Sequence, residues 1–299
     1  MSRASETAEQ QAALRELERV PLPLPPGLDV TWLGVSGYRL TYQGASLFID
    51  PYVSRASLRD ILLRRVALPQ APLVERYLAP GDGGTAEVVG VLVGHTHFDH
   101  AVDAPAIARR HRCNAYGSSS LGTLMGLHGL GELAVEVVPY RRYELGPFVV
   151  SFTPSRHSKL LFGRKVPMDG ELTCEQLDGL RCGAYRCGAV YGIRIEVAGV
   201  SLYHQGSADL IDEALRAEPV DLFLAGVAGR SVTPRYWERV LRRIDPAVVV
   251  PTHYDDFFKP LGRELGFTAK VKLGEVPAEV GAVSSAATVA ALPRSDRLA

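Results

Sequence analysis

The chain of 299 residues carries 33 basic against 33 acidic residues and is 46% hydrophobic, enough apolar material for one or two buried cores. Zero net charge excludes a global field that would gather nucleic acid or an anionic membrane, and four cysteines are too few to staple a chain of this length. No run of about 18 apolar residues occurs and the start, Met1–Gln10, lacks a signal-like apolar stretch, so the expectation is a cytoplasmic protein without stable membrane insertion.

In chain order, Ala4–Val20 places Leu14, Leu17 and Val20 at helical spacing, which predicts an amphipathic helix on the outside of the domain, ahead of a Pro-rich link over 21–26. Residues 1–27 read as a lead-in and 28–277 as one domain with insertions near 54–80 and 158–186. Leu28–Leu33, Tyr38–Tyr42 and Ser46–Ile49 predict three short strands parted by Gly34, Gly37 and Gly44. Asp50 follows the third, where a carboxylate either caps a turn or supports a metal-bound histidine. Residues 54–80 interleave Leu58, Ile61, Leu62, Leu63 and Val66 with Arg55, Arg59, Arg64 and Arg65: a basic amphipathic helix that suits a lid, a membrane-surface contact, a dimer face or a solvated surface.

Val88–Val93 is an apolar, β-branched run, the mark of a buried strand, and the next residues read Gly94-His-Thr-His-Phe-Asp-His100. Three of the eight histidines and one carboxylate thus fall within six positions. Neutral imidazoles and carboxylates are the ligands of zinc and similar divalent ions, and imidazoles packed this closely repel one another if they protonate. His95, His97, Asp99 and His100 are therefore candidate metal ligands, and Asp103 is expected to cap the helix that follows.

Further strands are predicted at Ala115, at Ala134–Val138 and at Phe148–Phe152, which runs out at His157. Arg156, Lys159, Arg164 and Lys165 flank that histidine and suit an anionic group on a substrate, or simply a solvated loop. Residues 158–186 break the pattern and read as a substrate-facing insertion; a structural zinc on Cys174, Cys182 and Cys187 has spacings unlike those of known knuckles. Ala189–Val197 and Val200–Tyr203 predict a hairpin across Ala198-Gly199 that leads to His204 and Asp209. Asp221–Gly226, a helix over Pro234–Ile244 and a strand Ala247–Thr252 ending in His253 complete the domain; 278–299 reads as a weakly structured tail. Every candidate ligand terminates a strand.

The order strand-Asp50, His95-x-His97-x-Asp99-His100, strand-His157, strand-His204-to-Asp209, strand-His253 resembles the metallo-β-lactamase-fold hydrolases over roughly residues 28 to 265. The resemblance implies an α/β fold, a four-layer αββα sandwich, with two divalent metal ions at one edge of the facing sheets. It implies zinc, with manganese or iron as alternatives; His95, His97 and His157 around the first ion; and Asp99, His100 and His253 around the second, with an acidic residue bridging. The segments Thr31-Trp-Leu-Gly34, Phe48-Ile-Asp-Pro51 and Val250-Pro-Thr-His253 are most similar to the branch of ascorbate-6-phosphate lactonases and N-acyl phosphatidylethanolamine phospholipase D. That branch has Gly-Asp after the strand, whereas here Gly206 precedes Ser207, so Asp209 is the nearest candidate bridge.

The expected activity is hydrolysis of an ester, lactone or phosphodiester in a small or lipid-like substrate by a metal-activated hydroxide, which Asp99 orients. His204 is the candidate proton donor or substrate contact, and Tyr254 and Asp255 are candidates for the pocket wall. The alternatives are a weakened or mononuclear metal-binding scaffold with a partner-binding role, and an iron-dependent oxidoreductase of the same fold. A homo-oligomer is compatible with the sequence; nucleic acid is not an expected partner.

Overall fold

A computed structural model describes residues 3–159, 163–262 and 265–292. Helix α1 (Arg3–Glu18) precedes an antiparallel start, β1 (Asp29–Gly34), β2 (Gly37–Tyr42) and β3 (Ala45–Ile49). Short helices α2 (Leu58–Leu62) and α3 (Ala71–Tyr77) lead to β4 (Glu87–Leu92). Next come α4 (Phe98–Ala101), α5 (Ala104–His111), β5 (Ala115–Gly117), α6 (Ser119–Leu127) and β6 (Ala134–Glu136). The second half is almost all strand: β7 (Tyr143–Leu145), β8 (Phe148–Arg156), β9 (Val190–Val197), β10 (Val200–Gln205), β11 (Asp209–Leu210) and β12 (Leu222–Gly226). It closes with α7 (Tyr236–Ile244), β13 (Val248–Thr252), α8 (Val276–Gly281) and β14 (Thr288–Val289).

The strands form two sheets. One runs β1-β2-β3-β4-β5-β6; the other runs β11-β8-β9-β10-β12-β13-β14, with β7 beside β8. Period-two alternation decides which face each residue serves. In β3, Leu47 and Ile49 enter the core that both sheets share with α1, α7 and α8, while Phe48 points the other way, into a second core beneath α3, α5 and α6. This is the αββα arrangement. The β9–β10 hairpin turns where expected, through the left-handed pair Ala198 (φ 53°) and Gly199 (φ 79°), whose twist matches that of the flanking strands.

Three expectations are corrected here. The 54–80 segment is two short helices, because Pro72 starts a fresh helix and the Ser57–Asp60 capping box confines the first. None of the α2 residues is buried, and Leu58, Leu62, Leu63 and Val66 lie exposed. The tail is ordered through Leu292: β14 pairs in parallel with β13, Ala290–Leu292 are buried, and the Ala291 N–H donates to the Leu17 carbonyl of α1. The last seven positions of the tail, 293–299, lie outside the described residues.

The third correction is Asp103. It sits at the start of α5 but makes no cap bond; its carboxylate accepts the Val53 and Ser54 N–H groups at 2.6 and 2.9 Å and the Ser54 hydroxyl at 2.5 Å. Burial outweighs those bonds and pushes the carboxyl up to about 6. Since the folded value exceeds the unfolded one, the stability it contributes is complete below about pH 4 and is lost as the pH rises through about 6. Asp103→Asn, which keeps an acceptor for both N–H groups, is expected to exceed the parent by up to about 3 kcal/mol at about pH 7.5, the gap closing near pH 4. Urea midpoints of both proteins across that range check this; a gap that does not vary with pH would refute the buried-charge origin.

Candidate metal centre

Five strand ends converge on one edge of the two sheets. Asp50 follows β3, His95 and His97 follow β4, His157 follows β8, Gly206 follows β10 and His253 follows β13. His97 begins the single turn of α4, which carries Asp99 and His100 back over the strand end. His253 is held at φ 59° with its N–H on the Val35 carbonyl, so the chain turns sharply as it leaves β13.

Two triads result. The donor atoms of His95, His97 and His157 all lie within 4.8 Å of one another, as do those of Asp99, His100 and His253. That spread matches atoms arranged about a common centre at zinc-ligand distances of about 2.0–2.2 Å. The rings of His95 and His100 touch across the two groups, with centroids 3.9 Å apart. The structure thus brings together six of the seven sequence-predicted ligands.

Hydrogen bonds outside the triads aim the rings inward. His97 Nε2 donates to the Pro167 carbonyl at 2.9 Å, His157 Nδ1 to the Ser158 carbonyl at 2.7 Å and His100 Nδ1 to Asp50 Oδ2 at 2.9 Å. Each bond turns the opposite nitrogen inward, and in the first triad His97 Nδ1 lies 3.1 Å from His95 Nε2. His100 Nε2 is buried without a hydrogen-bond partner, an orphaned acceptor that a metal ion would satisfy. Burial holds His97 down at about 4 and His157 at about 3, and pushes His95 well below its usual value, aided by repulsion from His100. These three imidazoles are neutral at pH 7, the form that binds metal. Burial alone would raise the Asp99 carboxyl, but the charge of His100 and the bond from His253, whose Nε2 is 3.2 Å away, hold it far below the carboxylate range.

Asp50 anchors this edge. Its Oδ1 accepts the Gly94 N–H at 2.7 Å, and its Oδ2 is shared by His100 Nδ1 and His204 Nε2, each at 2.9 Å. Burial opposes its ionisation, yet the charge and hydrogen bond of His100, with those of His204, hold it at about 2. The sequence suggested a support role for Asp50, and here it fixes the tautomer of His100. Unforeseen was the partner pair Arg55 and Asp255, which binds α2's approach to the segment after β13. Arg55 donates to Asp255 Oδ2 at 2.7 Å and Asp255 Oδ1 accepts the Val35 N–H at 2.9 Å, all of it buried. Gly34, at φ 93°, is required there: a Cβ would meet the Arg55 guanidinium at 2.1 Å.

Four expected site residues lie elsewhere. His204 is fully buried, with Nε2 on Asp50 Oδ2 at 2.9 Å and its ring edge-on to Tyr38 at 5.8 Å, and it joins neither triad. Tyr254 stacks on Trp32 at 4.9 Å and Asp255 is spent on Arg55, so both are buried scaffold. Asp209 pairs in register with Arg156 and sends Oδ1 to Arg239 of α7 at 3.0 Å; among the described residues it joins neither triad. Asp209→Ala is accordingly expected to leave metal content unchanged and to cost about 1 kcal/mol. Elemental analysis showing one equivalent fewer would restore it as a ligand. Nor do Cys174, Cys182 and Cys187 form a cluster: all are free thiols, and the described residues hold metal-suited groups only in the two triads.

The insertions meet beside the centre. Ala67 N donates to the Leu180 carbonyl and Tyr185 Oη to the Ala67 carbonyl, while Pro167 takes the His97 bond and Cys187 accepts the Thr96 N–H. The two segments therefore brace each other and one wall of the triads. Arg156, Lys159, Arg164 and Lys165 are exposed.

Among proteins of known sequence, the chain is 27% identical over 260 residues to a UPF0173 metal-dependent hydrolase of Carboxydothermus hydrogenoformans, covering 82% of this chain and 96% of that protein. It is 26% identical to a namesake from Polynucleobacter asymbioticus, covering 82% and 80%. Among solved structures it superimposes on Igni18, a metallo hydrolase of Ignicoccus hospitalis (TM-score 0.54, 19% identity, 90% of this chain and 96% of that one). It also superimposes on the metallo-beta-lactamase fold protein YhfI of Bacillus subtilis (0.52, 15%, 88% and 90%). CmlA of Streptomyces venezuelae, a diiron beta-hydroxylase, shares the fold over 91% of this chain and 54% of its own (0.54, 13%). The family described as beta-lactamase superfamily domain matches residues 29–253, a span that holds both triads and Asp50, and with two facing sheets under helices this chain belongs to the metallo-β-lactamase superfamily.

Proposed function

We propose that the protein is a metal-dependent hydrolase that holds two divalent ions, zinc first among them, and cleaves an ester, lactone or phosphodiester bond in a small or lipid-like substrate. The observation that carries this reading is the pair of adjoining triads, His95/His97/His157 and Asp99/His100/His253, with the outward ring nitrogens of His97, His100 and His157 tied down. Ions held there would lower the pKa of bound water toward neutrality and polarise the oxygen of the bond under attack.

The chain's own part is positional. His97 and His157 are locked by Pro167 and Ser158, and His100 by Asp50, so no rotamer search precedes binding. Asp99, ionised beside His253, supplies the one negative ligand and an acceptor that can orient the attacking water through a carboxylate oxygen. Support for the ester, lactone and phosphodiester classes comes from the motifs around Thr31, Phe48 and Val250 that resemble the lactonase and phospholipase D branch. The names of the relatives favour hydrolysis over the oxidative chemistry of the diiron neighbour.

The test is turnover of a panel of lactones, aryl esters and bis(4-nitrophenyl) phosphate, before and after a chelator. Hydrolysis that a chelator abolishes and zinc restores is the expected result. Oxygen uptake with iron, and no hydrolysis, would select the oxidoreductase; metal bound without turnover would select the scaffold.

A further inference from the structure

The second triad is assembled from two places. Asp99 and His100 ride on the single turn of α4, whereas His253 stands at the end of β13. His253 is the more demanding member, because its φ of 59° lies in the left-handed region that a residue with a Cβ rarely adopts. Such a conformation persists only where the surroundings fix it. What fixes it is the peptide unit of Val35, in the turn between β1 and β2. The Val35 carbonyl accepts the His253 N–H at 2.8 Å, the Trp32 Nε1–H at 3.1 Å and the Thr252 hydroxyl. Val35 is itself left-handed, at φ 53°, and for a β-branched residue that is strain which something else must hold. Its N–H donates to Asp255 Oδ1 at 2.9 Å.

Asp255 would be an isolated buried carboxylate but for Arg55. The two side chains are 1% and 3% exposed; Arg55 Nη2 donates to Asp255 Oδ2 at 2.7 Å and Nη1 to the Asp256 carbonyl at 3.2 Å. On its other side the guanidinium lies 5.7 Å from the centre of the Tyr52 ring, and Tyr52 meets Phe98, the first residue of α4, edge-on at 5.9 Å. Arg55 therefore stands between the α4 half and the β13 half of the second triad. The first triad is supported differently. The printed bonds of its rings run to Pro167, to Ser158 and between His95 and His97, and none of these reaches Arg55 or Asp255.

We propose, on the two-ion reading above, that Arg55 and Asp255 are positioning residues for the second metal group. Through Val35 they hold His253 in the left-handed conformation that keeps its Nε2 3.2 Å from Asp99 Oδ2, and their loss costs the second ion and spares the first. A buried ion pair that served stability alone could be exchanged for apolar side chains at little loss, whereas one that aims a ligand could not.

The experiment is a zinc titration against a competing chromophoric chelator, beside urea midpoints, on the parent, Arg55→Met and the double variant Arg55→Met/Asp255→Leu. The single variant strands the Asp255 carboxylate and loses stability; the double variant removes that charge and recovers stability, so it carries the test should the single one fail to fold. Both are expected to bind one zinc with parental affinity and a second about 10–100-fold more weakly. Added to His97→Ala, which leaves only the second triad whole, the double substitution should weaken the remaining equivalent by the same factor. Added to His253→Ala, it should leave the remaining equivalent unchanged. A second equivalent of parental affinity in the double variant, or equal weakening of both equivalents, would overturn the proposal while leaving the two-ion centre standing. A parent that binds fewer than two equivalents would overturn the two-ion reading, and the proposal with it.

Discussion

Asp50→Ala is expected to destabilise the protein by about 3–5 kcal/mol and to cost one tightly bound metal ion per chain. The carboxylate is wholly buried and serves three donors: the Gly94 N–H, His100 Nδ1 and His204 Nε2. Removing it strands all three where water cannot replace it, and each stranded donor costs about 1–3 kcal/mol. His100 also loses the partner that holds its Nε2 toward Asp99 and His253, so the second triad falls apart even where the fold survives. Asp50→Asn separates the two effects. An amide keeps one acceptor for Gly94 and nearly the same volume, so stability should fall by less, whereas metal affinity should still drop by about 10–100-fold. Urea unfolding beside metal titration of both variants measures this; an alanine variant with parental stability and full metal content would mean that Asp50 supports neither the fold nor the site.

How much of this was legible in the sequence depends on the distance between cause and effect along the chain. The grouping of the six triad residues could be read because four lie in one six-residue stretch and the other two follow β-branched runs whose burial is a local property of the run. Asp209 misled because its nearness in sequence to Ser207 says nothing of β11, which folds back onto β8 and hands the carboxylate to Arg239, thirty positions away. His204 misled for a related reason. The strand runs on through Gln205, so His204 is an inward position in register with Ile193 and Leu224, and its polarity is answered only by Asp50, 154 positions upstream. The tail looked weak for want of aromatics, yet Val289–Leu292 is a short apolar run, and an edge strand needs little more once β13 offers an open side. The Arg55–Asp255 pair, 200 positions apart, left no local trace at all.

His97→Ala and His253→Ala are expected to fail in the same direction but at different ions, which makes the pair more informative than either alone. Each deletes one of three protein ligands from a different triad, and the remaining two cannot retain an ion at a concentration that saturates the parent. Each variant should therefore hold one equivalent fewer than the parent and lose hydrolysis by about a hundredfold or more, since replacing even an outer support of a ligand costs about 10–100-fold. Their stabilities should separate the sites further. An ion present at a hundred times its dissociation constant adds about 2.7 kcal/mol to the folded state, so a chelator should destabilise the parent by more than either variant. His97→Ala also frees the Pro167 carbonyl, and with it the brace between the 158–186 segment and the centre, whereas His253 leaves its backbone bond to Val35 intact on losing its ring. Protease cleavage within 158–186 should thus rise in His97→Ala and not in His253→Ala. Equal metal loss with equal protection in the two would show that the triads act as one cooperative unit; unchanged metal content in both would remove the ligand assignment itself.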